Sequence, residues 1–226
     1  MKENTTRHLH LNMALIGGFM GGYALTNHHD IFGSAQTSNM ITIAMNAAGR
    51  PDTNWLVRIF GLFLYMAGLA STVVLPKKFK MNMKLFSIIV DGIVLILIGF
   101  FPSNLNDFVA LYPLFIATSI QWCSFPGADG YVSASIFSTN NLRQFTTAFA
   151  EYFCSRDTEA LRKGKFYGKV LLCYHIGVIA AYLTSRSFGP KASLLALLPV
   201  CTAFFFVWED NCSAASLPVI GHLFAK

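Results

Sequence analysis

Charged side chains are scarce in this sequence. Only 12 % of its 226 residues are Asp, Glu, Lys or Arg, and 54 % are hydrophobic, whereas soluble domains carry about 25 % charged residues. This scarcity excludes a soluble enzyme, a nucleic-acid-binding module and a disordered chain. Six membrane helices of ~20 residues would use about 120 residues, which matches the apolar content. The composition therefore predicts an all-α polytopic membrane protein, with one membrane domain over residues 1–226.

The sequence also lacks the motifs of disulfide frameworks, metal sites and catalysis. Its five cysteines are odd in number and no two have CxxC spacing, which argues against a disulfide framework or a zinc site. No HExxH sequence, Ser/His/Asp pattern or phosphate-binding glycine loop is present. The segment His28-His29-Asp30 has no further ligands at useful spacing, so we interpret it as a solvated loop. We expect no enzyme activity, no cofactor and no metal.

Six stretches of the chain are apolar enough to be membrane spans, and they comprise residues 13–26, 55–75, 85–101, 108–125, 166–185 and 192–208. No small-x-small cleavage site follows the first stretch, so we interpret it as a retained span rather than a signal peptide. Two further segments, residues 37–49 and 139–154, look helical but are shorter and more polar. At 1.5 Å per residue the first of these is ~20 Å long, which is less than a hydrocarbon core of ~30 Å.

The distribution of Lys and Arg decides between six and eight spans. With six spans and an inner N-terminus, 13 of the 17 Lys and Arg lie inside, and the outer four are Arg50, Arg58, Arg186 and Lys191. With eight spans the inner majority is smaller, and Arg143 lies within a span. We therefore predict six spans in the bacterial cytoplasmic membrane, with both termini and a short tail, residues 209–226, in the cytoplasm. The two short segments then become re-entrant or interfacial half-helices.

The two halves of the chain resemble each other around these half-helices. The matching positions are Asp30–Ala35 with Asp129–Ala134, Thr37–Met40 with Thr139–Leu142, Arg58 with Lys169, and Gly68 with Gly177. Each match is short, so chance similarity is the alternative. Three spans per half reverse the second half relative to the first. The sequence thus predicts a 3+3 inverted repeat, with repeat 1 at about residues 11–101 and repeat 2 at about residues 106–208.

Two pairs of short motifs lie in these halves. They are residues 18–23 (GFMGGY) with 33–40 (GSAQTSNM), and residues 115–121 (FIATSIQ) with 137–142 (FSTNNL). They resemble the two signatures of the YoaK-like bacterial membrane family: a GFVDA-like stretch with an SAQTGN- or SHMTGN-like motif, and an Ala-x-Gly-x-Gln stretch with a TFxTGNL-like motif. The chain departs from them at Gly21 or Gly22, where the family usually has Asp, and at Ser38 and Asn140, which replace Gly. That family has no known function, so the resemblance implies a fold and no substrate.

Polar residues at the starts of the half-helices are the strongest candidates for a substrate site. They are Gln36, Thr37, Ser38, Asn39, Ser138, Thr139, Asn140 and Asn141. We assign Gln121, at the end of the fourth span, to the same site. Half-helix N-termini present unpaired N–H groups near the midplane of transporters. The alternative is helix capping, because Ser, Thr and Asn satisfy such groups, and both interpretations stay open.

Asp91 and His175 are candidates for proton or ion coupling. Asp91 is the only charged residue between Lys84 and Asp107 and lies within a predicted span. A charge at that depth costs a few kcal/mol, so Asp91 should have a partner. His175, near the middle of the fifth span, is the obvious one. The alternative is an ordinary interhelical hydrogen bond.

These patterns favour a small-molecule or ion permease, or a channel, with its site between the half-helices. The alternative is a non-transporting membrane subunit, sensor or scaffold. The expected partners are the lipid bilayer and an unknown small-molecule or ion substrate, and we expect no nucleic acid. Two interleaved G-x-x-x-G patterns, Gly17 with Gly21 and Gly18 with Gly22, allow close helix packing. On that basis we also expect a homodimer.

Overall fold

The structure is a computed structural model that describes residues 3–28, 36–102 and 104–215, with side chains between residues 4 and 208 of those ranges. Helices contain 83 % of the described residues, so the prediction of a helical fold is confirmed. The helices are α1 (Glu3–Asn27), α2 (Gln36–Ala47), α3 (Trp55–Phe79), α4 (Met83–Gly99), α5 (Asp107–Ser124), α6 (Thr139–Ser155), α7 (Thr158–Phe188) and α8 (Leu197–Ala215). A 3₁₀ helix, Gly189–Ala196, joins α7 to α8.

Polar caps define where several helices begin, as expected from the preference for Asn and Asp at these positions. The side chain of Asn82 accepts hydrogen bonds from backbone N–H groups at the start of α4. Asn106 does the same for α5, and Asp157 for α7. At their other ends, α3 and α6 stop at Lys80 and Arg156, which adopt the left-handed backbone conformation. These boundaries set the lengths of the apolar helices.

A short β-hairpin lies between the fourth predicted span and the second half-helix, where the sequence analysis predicts no strand. Its strands, β1 (Gly127–Ala128) and β2 (Tyr131–Val132), pair antiparallel between α5 and α6. The turn residues Asp129 and Gly130 have φ values of 54° and 79°, and Asp-Gly favours this left-handed conformation in two-residue hairpins. The hydroxyl of Tyr167 donates a hydrogen bond of 2.7 Å to the carbonyl oxygen of Val132. The hairpin is thereby fixed against α7.

Glycines let α1 pack directly against the backbone of α7. A Cβ atom on Gly18 would lie 1.9 Å from the carbonyl oxygen of Tyr174, and one on Gly177 would lie 2.0 Å from that of Leu15. Such approaches are possible only without side chains. The glycine stripe of α1 is therefore used inside the chain, and it does not support the homodimer that we inferred from it.

The other helices form a bundle around this pair. α3 packs against α5, where a Cβ atom on Gly68 would lie 1.9 Å from the hydroxyl oxygen of Ser119. α2 packs against α3, α6 against α7, α4 against both α5 and α8, and α8 against α1. The common core contains fully buried large side chains such as Tyr23, Leu111 and Phe115.

The outward faces of the long helices are apolar. Large exposed side chains include Phe63 on α3, Leu172 on α7 and Leu198 on α8, each more than half exposed. In the described residues, two helical runs are long and apolar enough to cross a membrane, Trp55–Phe79 and Thr158–Trp208. Only 17 % of the most apolar stretch of α3 is buried in the protein, whereas a core helix of a soluble protein would be mostly buried. The two runs fit a membrane protein, and the crossing of all six predicted spans stays a prediction.

Candidate functional site

A cavity of about 740 Å³ lies between the start of α2 and the start of α6. Its polar lining comprises Gln36, Thr37, Thr139, Asn140 and Arg143. Its apolar lining comprises Met40, Tyr65, Trp122 and Phe137. The structure thus brings together four of the predicted site residues, two from each half-helix. The volume is within the range of small-molecule sites in proteins, about 300–1,000 Å³.

Both short helices begin at this cavity. α2 starts at Gln36 and α6 at Thr139, close to the starts predicted for the two half-helices. Ser138 precedes α6, but its side chain makes no capping hydrogen bond, so the alternative of helix capping does not account for Ser138. The first turn of a helix carries N–H groups without helical partners and the positive end of the helix dipole. Two such ends therefore meet at one cavity.

Gln36 presents a hydrogen-bond donor that has no partner among the described residues. The Asn39 side-chain amide donates a hydrogen bond of 3.1 Å to Oε1 of Gln36. Nε2 of Gln36 is left without an acceptor, although the residue is only 7 % exposed and lines the cavity. A buried donor without an acceptor is costly. A ligand with an acceptor atom would satisfy it.

Arg58, at the start of α3, links Asn39 to Asp52 in the loop between α2 and α3. Its Nη1 donates a hydrogen bond of 3.0 Å to Oδ1 of Asn39, and its Nε donates one of 2.8 Å to Oδ2 of Asp52. The guanidinium lies over the ring of Phe108, 4.1 Å from its centre. The pKa of Asp52 lies below its ordinary value, chiefly because the backbone N–H of Asn54 donates to the carboxylate and also because Arg58 is close. Arg58 therefore fixes the side chain of Asn39, and Asn39 in turn fixes the side chain of Gln36.

The side chain of Asn141 makes its hydrogen bonds within its own half of the chain. Its Nδ2 donates to the carbonyl oxygens of Ala134 (2.7 Å) and Phe137 (3.0 Å). Its Oδ1 accepts from the hydroxyl of Ser133 (3.2 Å). Asn141 therefore braces the segment before α6 and, like Asn39, does not line the cavity. Ser38 is exposed and also lies outside the lining.

Gln121 is fully buried beside the cavity rather than in its wall. Its Nε2 donates to the carbonyl oxygen of Met13 (2.9 Å) and to the hydroxyl of Ser135 (3.0 Å), which joins α5 to α1 and to the segment before α6. The next residue, Trp122, lines the cavity and packs edge-on against Phe137, with ring centres 5.0 Å apart. The sequence analysis did not assign Trp122 to the site.

The chain matches the family described as "Protein of unknown function (DUF1275)" over residues 9–208. It belongs to that family. YoaK is a DUF1275 member, so the resemblance predicted from the motifs is confirmed at the level of the family. No curated protein and no solved structure matches this DUF1275 chain. The matched region contains every residue that lines the cavity.

Asp91 and His175 do not meet in this DUF1275 protein, so the predicted pair is wrong. Asp91 is fully buried, and neither carboxylate oxygen has a partner among the described residues. His175 is exposed, and its Nδ1 lies 2.7 Å from the carbonyl oxygen of Leu171 in its own helix. The two residues lie on α4 and α7, which are not packed together, because α1 covers the buried side of α7.

The predicted loop at His28 is only partly described. Nδ1 of His28 lies 3.1 Å from Oδ1 of Asp107. The predictions for His29, Asp30 and motif residues 33–35 concern positions outside the described residues. Within the described part of this DUF1275 chain, no group of three or more His, Cys, Asp or Glu residues is placed to hold a metal ion.

Proposed function

We propose that this protein is a six-span permease of the cytoplasmic membrane, which binds a small molecule in the cavity between α2 and α6. The observation that carries the proposal is that Gln36 lines a cavity of about 740 Å³ and that its buried Nε2 has no acceptor among the described residues. A purely structural cavity would leave this donor unpaired at a cost of about 1–3 kcal/mol. An acceptor on a bound molecule removes that cost.

The helix pairings support the inverted repeat on which the proposed permease fold is based. With α1–α4 as repeat 1 and α5–α8 as repeat 2, the pair α1 and α7 corresponds to the pair α5 and α3. Likewise α2 with α3 corresponds to α6 with α7, and α4 with α5 corresponds to α8 with α1. All of these pairs are in contact. A pseudo-two-fold axis in the membrane plane generates such a pattern.

The lining favours a substrate with an acceptor or anionic group on an apolar body. Arg143 is the ionised side chain in the lining, and its Nη2 donates a hydrogen bond of 2.9 Å to Oδ1 of Asn140. Together with two helix N-termini and the donor of Gln36, it makes the polar side of the cavity positive. The opposite walls are aromatic, formed by Tyr65, Trp122 and Phe137. A small organic acid, such as an aromatic carboxylate, has this combination.

Uptake into lipid vesicles tests the proposal. Purified protein should give a saturable flux of one or more aromatic or aliphatic carboxylates, but not of their uncharged amides. Arg143→Gln should raise the KM about 10- to 100-fold, because a hydrogen bond to a charged group contributes about 1.5–3 kcal/mol. Arg156→Gln is the matched control, since Arg156 is exposed at the other end of α6 and lies outside the lining.

Two results would contradict the proposal that this protein is a permease. One is an equal KM for Arg143→Gln and Arg156→Gln. The other is the absence of any saturable flux together with a stoichiometric membrane partner after mild purification, which would favour the alternative of a non-transporting subunit.

Labelling of single cysteines tests the topology separately. In a chain without its native cysteines, Lys80→Cys should react only from the cytoplasmic side and Asn104→Cys only from outside. External labelling of Lys80→Cys would contradict the six-span inverted repeat.

A further inference from the structure

A second pocket, of about 270 Å³, lies at the start of α7. α1, the hairpin turn and α7 contribute its charged lining, which comprises Arg7, Asp129, Arg162, Lys165 and Lys169. Four cations against one carboxylate give the lining a formal charge of +3. It is separate from the cavity between α2 and α6, since no residue lines both.

The two lysines that line this pocket have no carboxylate partner among the residues that the structure describes. Arg7 lies 3.5 Å from Asp129, and Arg162 lies 3.9 Å from Glu159. No ion pair joins Lys165 or Lys169 to an acidic residue in the described part of the chain. They are four residues apart on α7, a spacing at which like charges repel and destabilise a helix. An anion bound between them would attract both lysines and so offset this repulsion.

Asp129 adds a hydrogen-bond acceptor to the pocket. Its side chain is only 7 % exposed, and Oδ2 faces Arg7. Oδ1 is buried and has no hydrogen-bond partner among the described residues. Asp129 lines a pocket whose other charged residues attract anions. A ligand that fits both features carries a phosphate for the lysines and a hydroxyl group that donates to Oδ1 of Asp129.

The position of the pocket favours a lipid as the source of that phosphate. Phe166, another lining residue, is the first residue of the predicted fifth span. The pocket therefore lies at the predicted cytoplasmic surface of the bilayer. Basic pockets at this level of membrane helices bind anionic head groups.

We propose that this pocket binds the phosphate of an anionic lipid whose head group carries a hydroxyl, with the phosphate at Lys165 and Lys169 and the hydroxyl at Asp129. A soluble phosphate ester with a hydroxyl, such as glycerol 1-phosphate, shares the same chemistry. Binding here does not depend on transport through the other cavity.

The test compares lipid retention by native mass spectrometry after reconstitution with phosphatidylglycerol or phosphatidylcholine. Wild-type protein should retain phosphatidylglycerol selectively. Lys165→Gln with Lys169→Gln should weaken retention about 30-fold, since each lysine near an anionic lipid contributes about fivefold. Lys165→Arg with Lys169→Arg should preserve it. Lys77→Gln with Lys78→Gln is the matched control, because these lysines lie on the same predicted side and outside the pocket.

Asp129→Gly tests the hydroxyl contact, because Gly removes the acceptor and adopts the left-handed backbone of this turn without strain. It should lower the retention of phosphatidylglycerol but not of phosphatidic acid, whose head group has no hydroxylated substituent. If glycerol 1-phosphate competes with the lipid at micromolar concentration, the pocket binds the soluble ester. Equal retention of phosphatidylglycerol by the wild type and the double Gln variant would overturn the proposal, as would equal retention of phosphatidylcholine by the wild type.

Discussion

Arg58 donates a hydrogen bond of 3.0 Å to the side-chain oxygen of Asn39, which ties the first turn of α3 to the first turns of α2. The same asparagine donates to Oε1 of Gln36, a residue that lines the cavity and whose Nε2 has no acceptor among the described residues. A cation in a long helix thus sets the orientation of a donor in a short one. In the second half of the chain Asn141 reaches an equivalent position with neutral partners alone.

We expect Arg58→Met to lower the free energy of unfolding by about 1–3 kcal/mol, because Oδ1 of the buried Asn39 would lose its donor. The variant should also raise the KM of any transported substrate, since Gln36 would no longer be held. Thermal unfolding in detergent and vesicle uptake measure the two effects. Arg50→Met, at an exposed position in the same loop, should change neither, and an unchanged KM in Arg58→Met would contradict the positioning role.

Neighbouring asparagines at the start of α6 should respond differently to truncation. Asn141→Ala removes the partner of buried groups at Ala134 and Phe137, so stability should fall by about 2–3 kcal/mol. Asn140→Ala should change stability by less than about 0.5 kcal/mol, because Asn140 is exposed. It should instead raise the KM, since Asn140 lines the cavity and positions Arg143. Similar effects of the two substitutions on stability would contradict this division.

A methyl group at Gly18 should disrupt the packing of α1 on α7. In Gly18→Ala the new Cβ atom would lie 1.9 Å from the Tyr174 carbonyl oxygen, and backbone atoms cannot yield as a flexible side chain does. We expect a loss of at least ~3 kcal/mol in the free energy of unfolding, at the upper end of overpacking costs. Gly92→Ala is the control, because its Cβ atom would make an ordinary contact of 3.5 Å with Val200. It should stay within about 1 kcal/mol of the wild type.

A double-mutant cycle on Asp91 and His175 should give no coupling. The two side chains have no contact, and His175 bonds within its own helix, so the effects of Asp91→Asn and His175→Gln should add within about 0.5 kcal/mol. Asp91→Asn should keep the fold, because Asn has nearly the same shape and no charge to bury. Unfolding in detergent measures each corner of the cycle, and a coupling well above that limit would mean that the residues interact.

Asp52 should make stability depend on pH in the acid range. Its folded-state pKa lies below the ordinary value of 3.8, so its stabilising contribution is present above that value and is lost as the pH falls through the folded pKa. Asp52→Asn should therefore lose less stability than the wild type below about pH 4. Melting temperatures across the acid range would test this, and parallel curves would contradict it.

The helices of the cavity could be predicted from the sequence more readily than its walls. The short helices begin at Gln36 and Thr139, within a residue of the predicted segments, because polar residues mark the start of each helical pattern in the sequence. Tyr65 was missed because it lies inside a continuous apolar run, where no polar neighbour indicates which face points to the cavity. Asn140 and Asn141 are adjacent, and only the rotation of α6 decides which one lines it.

Residues distant in sequence could not be placed from patterns at all. The apolar surroundings of Asp91 predicted that it needs a partner, but His175 was chosen by depth alone, and depth does not specify which helices touch. The hairpin was missed because its strands have two residues each, too few for an alternating pattern to be recognised.

The packing of α1 on α7 has a consequence for biosynthesis. Asn27 at the end of α1 donates a hydrogen bond to Ser185 at the end of α7, 158 positions later in the chain. The glycine face of α1 therefore has no native neighbour while the ribosome completes most of the protein. During that interval lipid, or a component of the insertion machinery, has to cover this face. The last third of the chain completes the environment of the first helix, and a nascent chain that stops before α7 leaves its earliest helix without its main packing partner.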